Sequence, residues 1–221
     1  MGRTPAKKKT AAKPREPLTQ VEVGKRRRAA TRIALLDAAF SLLGQPRQRS
    51  LQIEDVCTQA NVVRGTFYNH FESAETLLEA LSYELSHEFN IAVHRHSRQL
   101  PTVTEQVVAA IRLYLHRART DNAWGWAMIN ISFAGAILGR ETHTIVTEDV
   151  KVGVLNGDFG ISSAKLGADM VLGIGFAGMI SILEGGMPDD YPEQVAREIM
   201  LALGVNRAEV ERIVSEVLPI L

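Results

Sequence analysis

Hydrophobic residues recur at helical spacing along most of the chain, and no segment alternates as a half-buried strand would. In the first helical segment, which starts near Lys25, one stripe carries Ile33, Leu36, Phe40 and Leu43. A Gly-Gln-Pro sequence ends this stripe, as is common just after a helix. The pattern therefore predicts a long first helix and an all-α fold.

Turn-forming sequences such as Asn-Gly-Asp and Gly-Gly-Met-Pro divide the rest of the chain into further helical segments. Ser73 is expected to cap a helix whose apolar stripe repeats every four residues from Leu77 to Val93. The helices predicted after the first cover about residues 53–60, 64–71, 74–98, 102–120, 123–138, 140–156, 163–184, 191–204 and 206–218.

The two parts of the chain differ strongly in charge. Residues 1–72 carry 14 Lys and Arg against 6 Asp and Glu, whereas the remainder carries 11 against 19, so the net charge of zero hides a basic and an acidic part. A basic part of this kind favours a polyanionic partner. Residues 1–24 hold three prolines, a lysine triplet and few large apolar side chains, so we predict a disordered basic arm there.

Residues 61–71, NVVRGTFYNHF, bring several DNA-contacting side-chain types into two helical turns. Asn61 follows the short helix 53–60, at a position where a left-handed residue is nearly always Gly or Asn. A longer helix followed by two short ones across a tight turn is the arrangement of a DNA-binding helix-turn-helix. We therefore assign residues 25–73 to a helix-turn-helix domain that binds double-stranded DNA.

Arg64 is the best candidate base reader in this segment, because a guanidinium can bond O6 and N7 of guanine together. Thr66 is expected to contact a thymine methyl or a phosphate, and Asn69 a base edge or a phosphate. Gly65 lets the backbone approach the DNA.

The stretch from about residue 28 to 85 resembles the N-terminal domain of the TetR family of bacterial transcriptional regulators. The resemblance covers about a quarter of the chain, and its G-T-F-Y-x-H-F pattern is specific. The matching residues are Ala38, Ala39, Phe40, Ile53, Val56, Ala60, Gly65, Thr66, Phe67, Tyr68, His70, Phe71, Leu77 and Leu78. The resemblance implies phosphate contacts for Tyr68 and His70, with packing against the first helix as the alternative. It also implies that residues 74–221 form a helical ligand-binding and dimerisation domain.

Two departures from the family pattern affect the expected DNA contacts. Val63 stands where the family often has a serine that caps the recognition helix, and such a cap contributes about 1 kcal/mol. Ala74 stands where the family commonly has a phosphate-binding lysine. We hypothesise that the arm, or the run of cations that follows it, supplies the missing phosphate contact. That run is Lys25, Arg26, Arg27 and Arg28.

Several residues of the C-terminal part are candidates for lining a small-molecule pocket between helices, with core packing as the alternative for each. The apolar and aromatic candidates are Trp124, Trp126, Met128, Phe133, Met170, Phe176 and Met179. The polar candidates for orienting a ligand are His116, Asn130 and His143.

The apolar run 170–183 contains G-x-G-x-x-G, but a dinucleotide site needs a strand before these glycines and none is predicted. Its small residues instead predict a subunit interface, in which two helices of each protomer form a four-helix bundle. Core packing within one chain is the alternative. The interface candidates are Gly173, Gly175, Gly178, Met179 and Ile182.

No combination of residues is typical of a catalytic, metal or cofactor site. G-x-S-x-G, H-E-x-x-H and phosphate-loop sequences are absent. His94 and His96 are two residues apart on a helix, so they diverge and do not share a metal ion. Cys57 has no His or Cys nearby and is expected to be a core side chain. The lone cysteine, the lack of an apolar export signal and the shortness of the apolar run favour a cytoplasmic protein without a membrane span.

These features predict a homodimeric, ligand-responsive transcriptional repressor rather than an enzyme. Two recognition helices roughly 34 to 36 Å apart would read a near-palindromic operator. The resemblance implies that an unidentified small molecule tilts the fourth helix and so changes this separation. A helical enzyme whose basic arm is only a tag, and a regulator that responds to a protein partner, are the two alternatives.

Overall fold

The computed structural model describes residues 19–48, 50–133 and 140–218. Within these ranges the chain forms ten α-helices and no strand, so the all-α prediction is confirmed. The helices are α1 (Gln20–Leu43), α2 (Ile53–Gln59), α3 (Arg64–Tyr68), α4 (Ala74–Ser97), α5 (Val103–Thr120), α6 (Asn122–Phe133), α7 (Arg140–Asn156), α8 (Ala164–Glu184), α9 (Tyr191–Ala202) and α10 (Arg207–Val214).

Helix α1 begins at Gln20 rather than near Lys25. The Thr19 hydroxyl accepts a hydrogen bond from the Glu22 N–H at 3.3 Å, and the Glu22 carboxylate accepts one from the Thr19 N–H at 2.8 Å. This capping box satisfies two backbone donors that the end of a helix otherwise leaves unpaired, and these bonds lower the pKa of Glu22. The predicted disordered arm is therefore wrong for residues 19–24, whereas residues 1–18 lie outside the described residues.

The turn before the recognition helix has the predicted geometry. Asn61 adopts a left-handed φ of 53°. Val63 takes the N-cap position of α3 in an extended conformation and provides no side-chain hydrogen bond. Helix α3 ends at Tyr68, earlier than predicted, and α10 ends at Val214 rather than near residue 218. The predicted end of α6 falls in residues 134–139, which are not described.

Two hydrophobic cores organise the chain. The smaller joins α1, α2, α3 and the first part of α4, and the larger joins the second part of α4 with helices α5 to α10. Helix α4 supplies Leu77 to the first core and Phe89 to the second. Helix α6 supplies Ile131 to the first core and Met128 to the second. Helices α4 and α6 therefore connect the two cores.

By length and composition, one of the described helices, α8, could cross a membrane; its mean hydropathy is 1.9. The sequence-based prediction of no membrane span rests on residues 170–183, which are only part of this helix. Helix α8 packs against α5, α7 and α9 as part of the larger core, and core helices of globular domains meet the same criterion. Its exposed side includes Leu166, Gly173 and Ala177.

Candidate functional site

The recognition helix α3 has one buried anchor and several exposed side chains. Phe67 is fully buried, and its ring packs against those of Tyr68 and Phe71 at centroid distances of 5.4 and 5.9 Å. Arg64 and Gly65 are exposed, and Tyr68 is about half exposed. Asn69 is also exposed, whereas Thr66 and His70 are half-buried. The predicted DNA contacts of this segment therefore lie on the accessible side of a helix held by Phe67.

The Arg64 guanidinium is held by two neighbours on the same surface. It forms an ion pair with Glu54 of α2. Its Nη2 atom donates a hydrogen bond to the Tyr68 hydroxyl at 3.2 Å and its Cζ atom lies 5.7 Å from the Tyr68 ring centroid. The bond to Tyr68 and the charge of Glu54 raise the pKa of Arg64. The candidate base reader is therefore cationic and oriented before DNA arrives.

The run of cations on α1 reaches the C-terminal end of α3 through its last residue, Arg28. All four are exposed, and Arg28 donates from Nη2 to the Asn69 carbonyl oxygen at 3.2 Å. The guanidinium of Arg32 lies 5.1 Å from the centroid of the Phe71 ring. Burial, together with the charges of Arg28 and Arg32, lowers the pKa of His70. Partial burial and the two neighbouring arginines therefore favour the neutral form of the His70 side chain.

A cavity of about 110 Å³ lies between α4, α5, α6, α7 and α8. Its walls are mainly aliphatic and aromatic, with polar groups at a few positions. This composition is typical of a small-molecule site, in which apolar walls provide affinity and a few polar groups fix orientation. The polar lining residues are Asn90, His94, Ser97, Tyr114, Thr142 and Asp149.

Three of these polar residues form a buried network. The Tyr114 hydroxyl donates to Asn90 Oδ1, and Asn90 Nδ2 donates to Thr142 Oγ1 at 3.2 Å. Asn90 Nδ2 also lies 3.3 Å from a carboxylate oxygen of Glu141, which in turn hydrogen-bonds His87. Burial raises the pKa of Tyr114 to about 12, so its hydroxyl stays protonated.

Among the described residues that line the cavity, Asp149 is the one that carries a carboxylate. Its Oδ1 atom accepts a hydrogen bond from Arg98 Nη2 at 3.3 Å. Burial raises the pKa of Asp149, and the nearby charges of Arg98 and His94 offset this only in part. The cavity therefore presents an acceptor that favours a ligand hydrogen-bond donor.

The structure brings three of the predicted pocket residues, Met128, Phe176 and Met179, to the cavity. The other predicted pocket residues do not line this cavity. Trp124 is buried in the core, where its Nε1 donates to the Leu85 carbonyl oxygen at 3.0 Å. The remaining residues that do not line the cavity are Trp126, which is buried, Phe133, which is 66% exposed, and Met170, which is half-buried.

The three polar pocket candidates have protein partners outside the cavity. His116 pairs with Glu193 at 2.9 Å, and His143 hydrogen-bonds Thr147 of its own helix. Asn130 is buried, and its Nδ2 atom donates to the carbonyl oxygens of Leu43 and Gln45 at 2.8 and 2.9 Å. Because buried polar groups need partners, these contacts account for all three residues without a ligand. Asn130 ties α6 to the end of α1.

The predicted interface residues point to different sides of α8. Met179 and Ile182 are buried in the protomer's own core, and a Cβ atom on Gly178 would lie 2.9 Å from a methyl group of Val195. The interface prediction is corrected for these three, and core packing within one chain applies to them. Gly175 lines the cavity, whereas Gly173 is exposed.

The predicted pocket residues include none of the six polar residues of the cavity lining, namely Asn90, His94, Ser97, Tyr114, Thr142 and Asp149. One signal for the site existed in α4. Small polar residues occupy its buried face, and such residues rarely lie in a core without a partner or a function. They are Ser82, Ser86, Asn90 and Ser97.

Comparison with known proteins agrees with this arrangement. The family described as bacterial regulatory proteins, tetR family, matches residues 35–81, and the tetracyclin repressor-like C-terminal domain matches residues 103–216. No curated protein matches the chain.

Solved structures share the fold over most of their length. RolR in complex with resorcinol has 26% sequence identity and a TM-score of 0.71, over 88% of this chain and 98% of RolR. RolR without ligand has 24% identity and a TM-score of 0.68, over 85% and 98%. FadR from Bacillus subtilis, in complex with stearoyl-CoA, has 16% identity and a TM-score of 0.59, over 77% and 96%, and shows the fold alone.

Members of the matched family are DNA-binding transcription regulators that respond to small molecules and are generally not enzymes. The resemblance of residues 28 to 85 is thereby confirmed and extends through the C-terminal domain. This chain belongs to the TetR family of bacterial transcriptional regulators.

Proposed function

We propose that this protein is a homodimeric repressor that binds a near-palindromic operator and releases it when a small hydroxylated aromatic compound fills the cavity. The observation that carries the proposal is the apolar cavity with an Asp149 acceptor and a buried Asn90–Tyr114–Thr142 network. It lies in a chain that presents an exposed recognition helix at its other end. We place this activity in the cytoplasm, where a regulator of this family meets DNA.

The size and polarity of the cavity support the ligand class. An apolar cavity of about 150 Å³ binds benzene, and this cavity, at about 110 Å³, is somewhat smaller. Its size therefore limits the ligand to about one ring and excludes larger compounds. Asp149 is suited to accept a hydrogen bond from a ring hydroxyl. Tyr114 stays protonated and donates its own hydrogen bond to Asn90, so it is already paired within the protein. RolR, which is 26% identical, binds resorcinol, a compound of this class.

Helices α4 and α6 are the proposed link between ligand and DNA. Asn90 and Met128 place both helices on the cavity wall. Asn130, two residues beyond Met128, holds the end of α1, and Leu77 of α4 packs behind the recognition helix. A ligand that favours a different position of these helices shifts the spacing of the two recognition helices. Release then follows from the difference in ligand affinity between the two states.

The exposed side of α8 is the proposed dimer surface. Gly173 and Ala177 are small and exposed, and Leu166 is 52% exposed. A Cβ atom on Gly173 meets nothing within 4 Å in the protomer. Gly173→Arg is therefore tolerated by the monomer and is expected to prevent dimerisation in analytical ultracentrifugation. Gly175→Leu, on the cavity side of the same helix, is the control and stays dimeric.

Selection of bound duplexes from a random pool tests the DNA-binding part of the proposal. We expect a near-palindrome with half-sites roughly 34 to 36 Å apart, the spacing of successive major grooves on one face of DNA. Recovery of no preferred sequence, or of a single half-site, would contradict it. Replacing Lys25, Arg26 and Arg27 with Gln is expected to lower the salt slope of binding, since each lost phosphate contact removes about one unit.

Titration with resorcinol tests the ligand-binding part. We expect resorcinol to raise the melting temperature of the protein, because binding to the folded state alone stabilises it. The compound should be recovered unchanged, since the proposed cavity serves binding and not turnover. Conversion of resorcinol to a product would instead favour the enzyme alternative.

A further inference from the structure

We infer that Glu54 determines sequence specificity by positioning Arg64: it holds the guanidinium so that a guanine edge can engage it and a phosphate is disfavoured. This inference rests on the proposed DNA binding and extends it to a residue of α2. Glu54 lies in the first turn of α2, and Arg64 is the first residue of α3, so the ion pair spans the turn of the helix-turn-helix.

Both side chains of the Arg64–Glu54 ion pair are accessible to DNA. The side chains of Arg64 and Glu54 are 60% and 59% exposed. The pair occupies Nη1, and the Tyr68 hydroxyl accepts from Nη2 at 3.2 Å. A guanidinium has five N–H donors in a fixed fork, so donors remain for a base while both neighbours stay in place.

The charge of Glu54 separates the two kinds of DNA contact. A guanine edge is neutral and offers O6 and N7 as acceptors, so it can share the fork with the carboxylate. A phosphate bound to the same guanidinium brings a second negative charge close to the Glu54 carboxylate, and the two like charges repel each other. Non-specific binding depends on phosphate contacts. Glu54 therefore weakens binding to unrelated sequences more than binding to the correct one.

Asp55 offers a matched control within the same helical turn. It is exposed and carries the same charge one residue further along α2, but the ion pair of Arg64 is with Glu54. Asp55→Asn and Glu54→Gln remove the same charge from the same end of α2. Only Glu54→Gln removes the contact to Arg64.

The test uses the full-length protein and three duplexes: the selected operator, the operator changed at the base pair that Arg64 reads, and an unrelated sequence. That base pair is identified as the position where Arg64→Ala relaxes the selected preference. We expect Glu54→Gln to reduce the discrimination between operator and changed operator about two- to fivefold, with tighter binding to the unrelated duplex. Asp55→Asn should change all three Kd values by a common factor.

Glu54→Asp separates pairing from charge. The shorter side chain keeps the charge but withdraws it from Arg64, so discrimination should fall although the net charge is unchanged. In an Arg64→Ala background, Glu54→Gln should leave discrimination unaltered. If Glu54→Gln and Glu54→Asp both discriminate between operator and changed operator as well as the wild type or Asp55→Asn does, Glu54 is not a positioning residue. If the wild-type protein selects no duplex at all, the proposed function itself fails.

Discussion

The DNA-recognition surface and the ligand cavity are built in opposite ways. The recognition surface is built on consecutive residues of α3, a short helix that the buried Phe67 anchors while Arg64 and Tyr68 stay exposed. The cavity draws its wall from five helices, and its polar groups come from three of them, α4, α5 and α7. DNA contact therefore depends on a local anchor, whereas ligand binding depends on the packing of much of the C-terminal domain.

The largest effect is expected from removing the local anchor. Phe67→Ala leaves a cavity in the smaller core, where Phe67 is fully buried, and truncations of this kind cost about 3 to 5 kcal/mol. Urea unfolding measures the loss, and DNA binding should fall with it. Ile33→Ala, at a side chain 57% exposed on α1, is the control. A loss below about 1 kcal/mol for Phe67→Ala would show that α3 is held by other contacts.

Arg64→Ala tests the exposed side of the same helix. We expect a loss of about 1 to 3 kcal/mol in operator affinity and a relaxed preference at one base pair. Folding stability and resorcinol affinity should be unchanged, because Arg64 is exposed and does not line the cavity. Fluorescence anisotropy with operator variants measures the effect. Equal weakening on every sequence would make Arg64 a phosphate contact.

Val63→Ser tests the start of the recognition helix. Val63 has the extended conformation of an N-cap but makes no capping hydrogen bond. A serine hydroxyl at this position can accept one from the first turn, and such caps stabilise by about 1 kcal/mol. Thermal unfolding should show the gain. Val63→Ala, which cannot accept the bond, should show none. Equal stability of the two variants would mean that solvent already satisfies these donors.

The smallest effect, a dependence on pH, should have opposite signs at Asp149 in the cavity and at Glu22 in the first turn of α1. Burial raises the pKa of Asp149, so its ionisation opposes folding, and stability is lost as the pH rises above about 3.8. Asp149→Asn should therefore gain stability relative to the wild type over that rise. Hydrogen bonds from Thr19 lower the pKa of Glu22, so its stabilisation is present above about 4.5 and is lost as the pH falls.

Glu22→Gln should accordingly lose stability relative to the wild type at neutral pH and match it in acid. Urea unfolding between pH 3 and pH 7 measures both differences. If Asp149→Asn and Glu22→Gln both gained or both lost stability relative to the wild type as the pH rises, the causes assigned to the two pKa shifts would be wrong.

The recognition segment could be predicted from the sequence because its geometry is local. Asn61 marks the left-handed turn, and the order of polar and aromatic residues in 61–71 shows which side of α3 is anchored. The helices could also be predicted, apart from their ends. The start of α1 was missed because the capping box of Thr19 and Glu22 extends a helix into a segment of unfavourable composition.

The cavity was predicted poorly because residue type does not show which way a side chain faces. Large aromatic residues such as Trp124 fill the core, and Asn130 satisfies two backbone carbonyl groups rather than a ligand. Asn90 and Asp149 reach the cavity because of the packing of α4 against α5 and α7. The two glycines of α8 show the same problem, since Gly173 and Gly175 are two residues apart but face different surroundings.

The most direct test of the coupling between the two regions is the operator Kd with and without saturating resorcinol, in the wild type and in Gly175→Leu. A Cβ atom at Gly175 meets nothing within 4 Å, and Gly175 lines the cavity, so a leucine there is expected to occupy part of the ligand space. We predict that resorcinol weakens wild-type binding about tenfold or more, within the usual range of allosteric coupling. Gly175→Leu should bind the operator as the wild type does and ignore resorcinol. Wild-type affinity that resorcinol leaves unchanged, or a response that survives Gly175→Leu, would contradict the account.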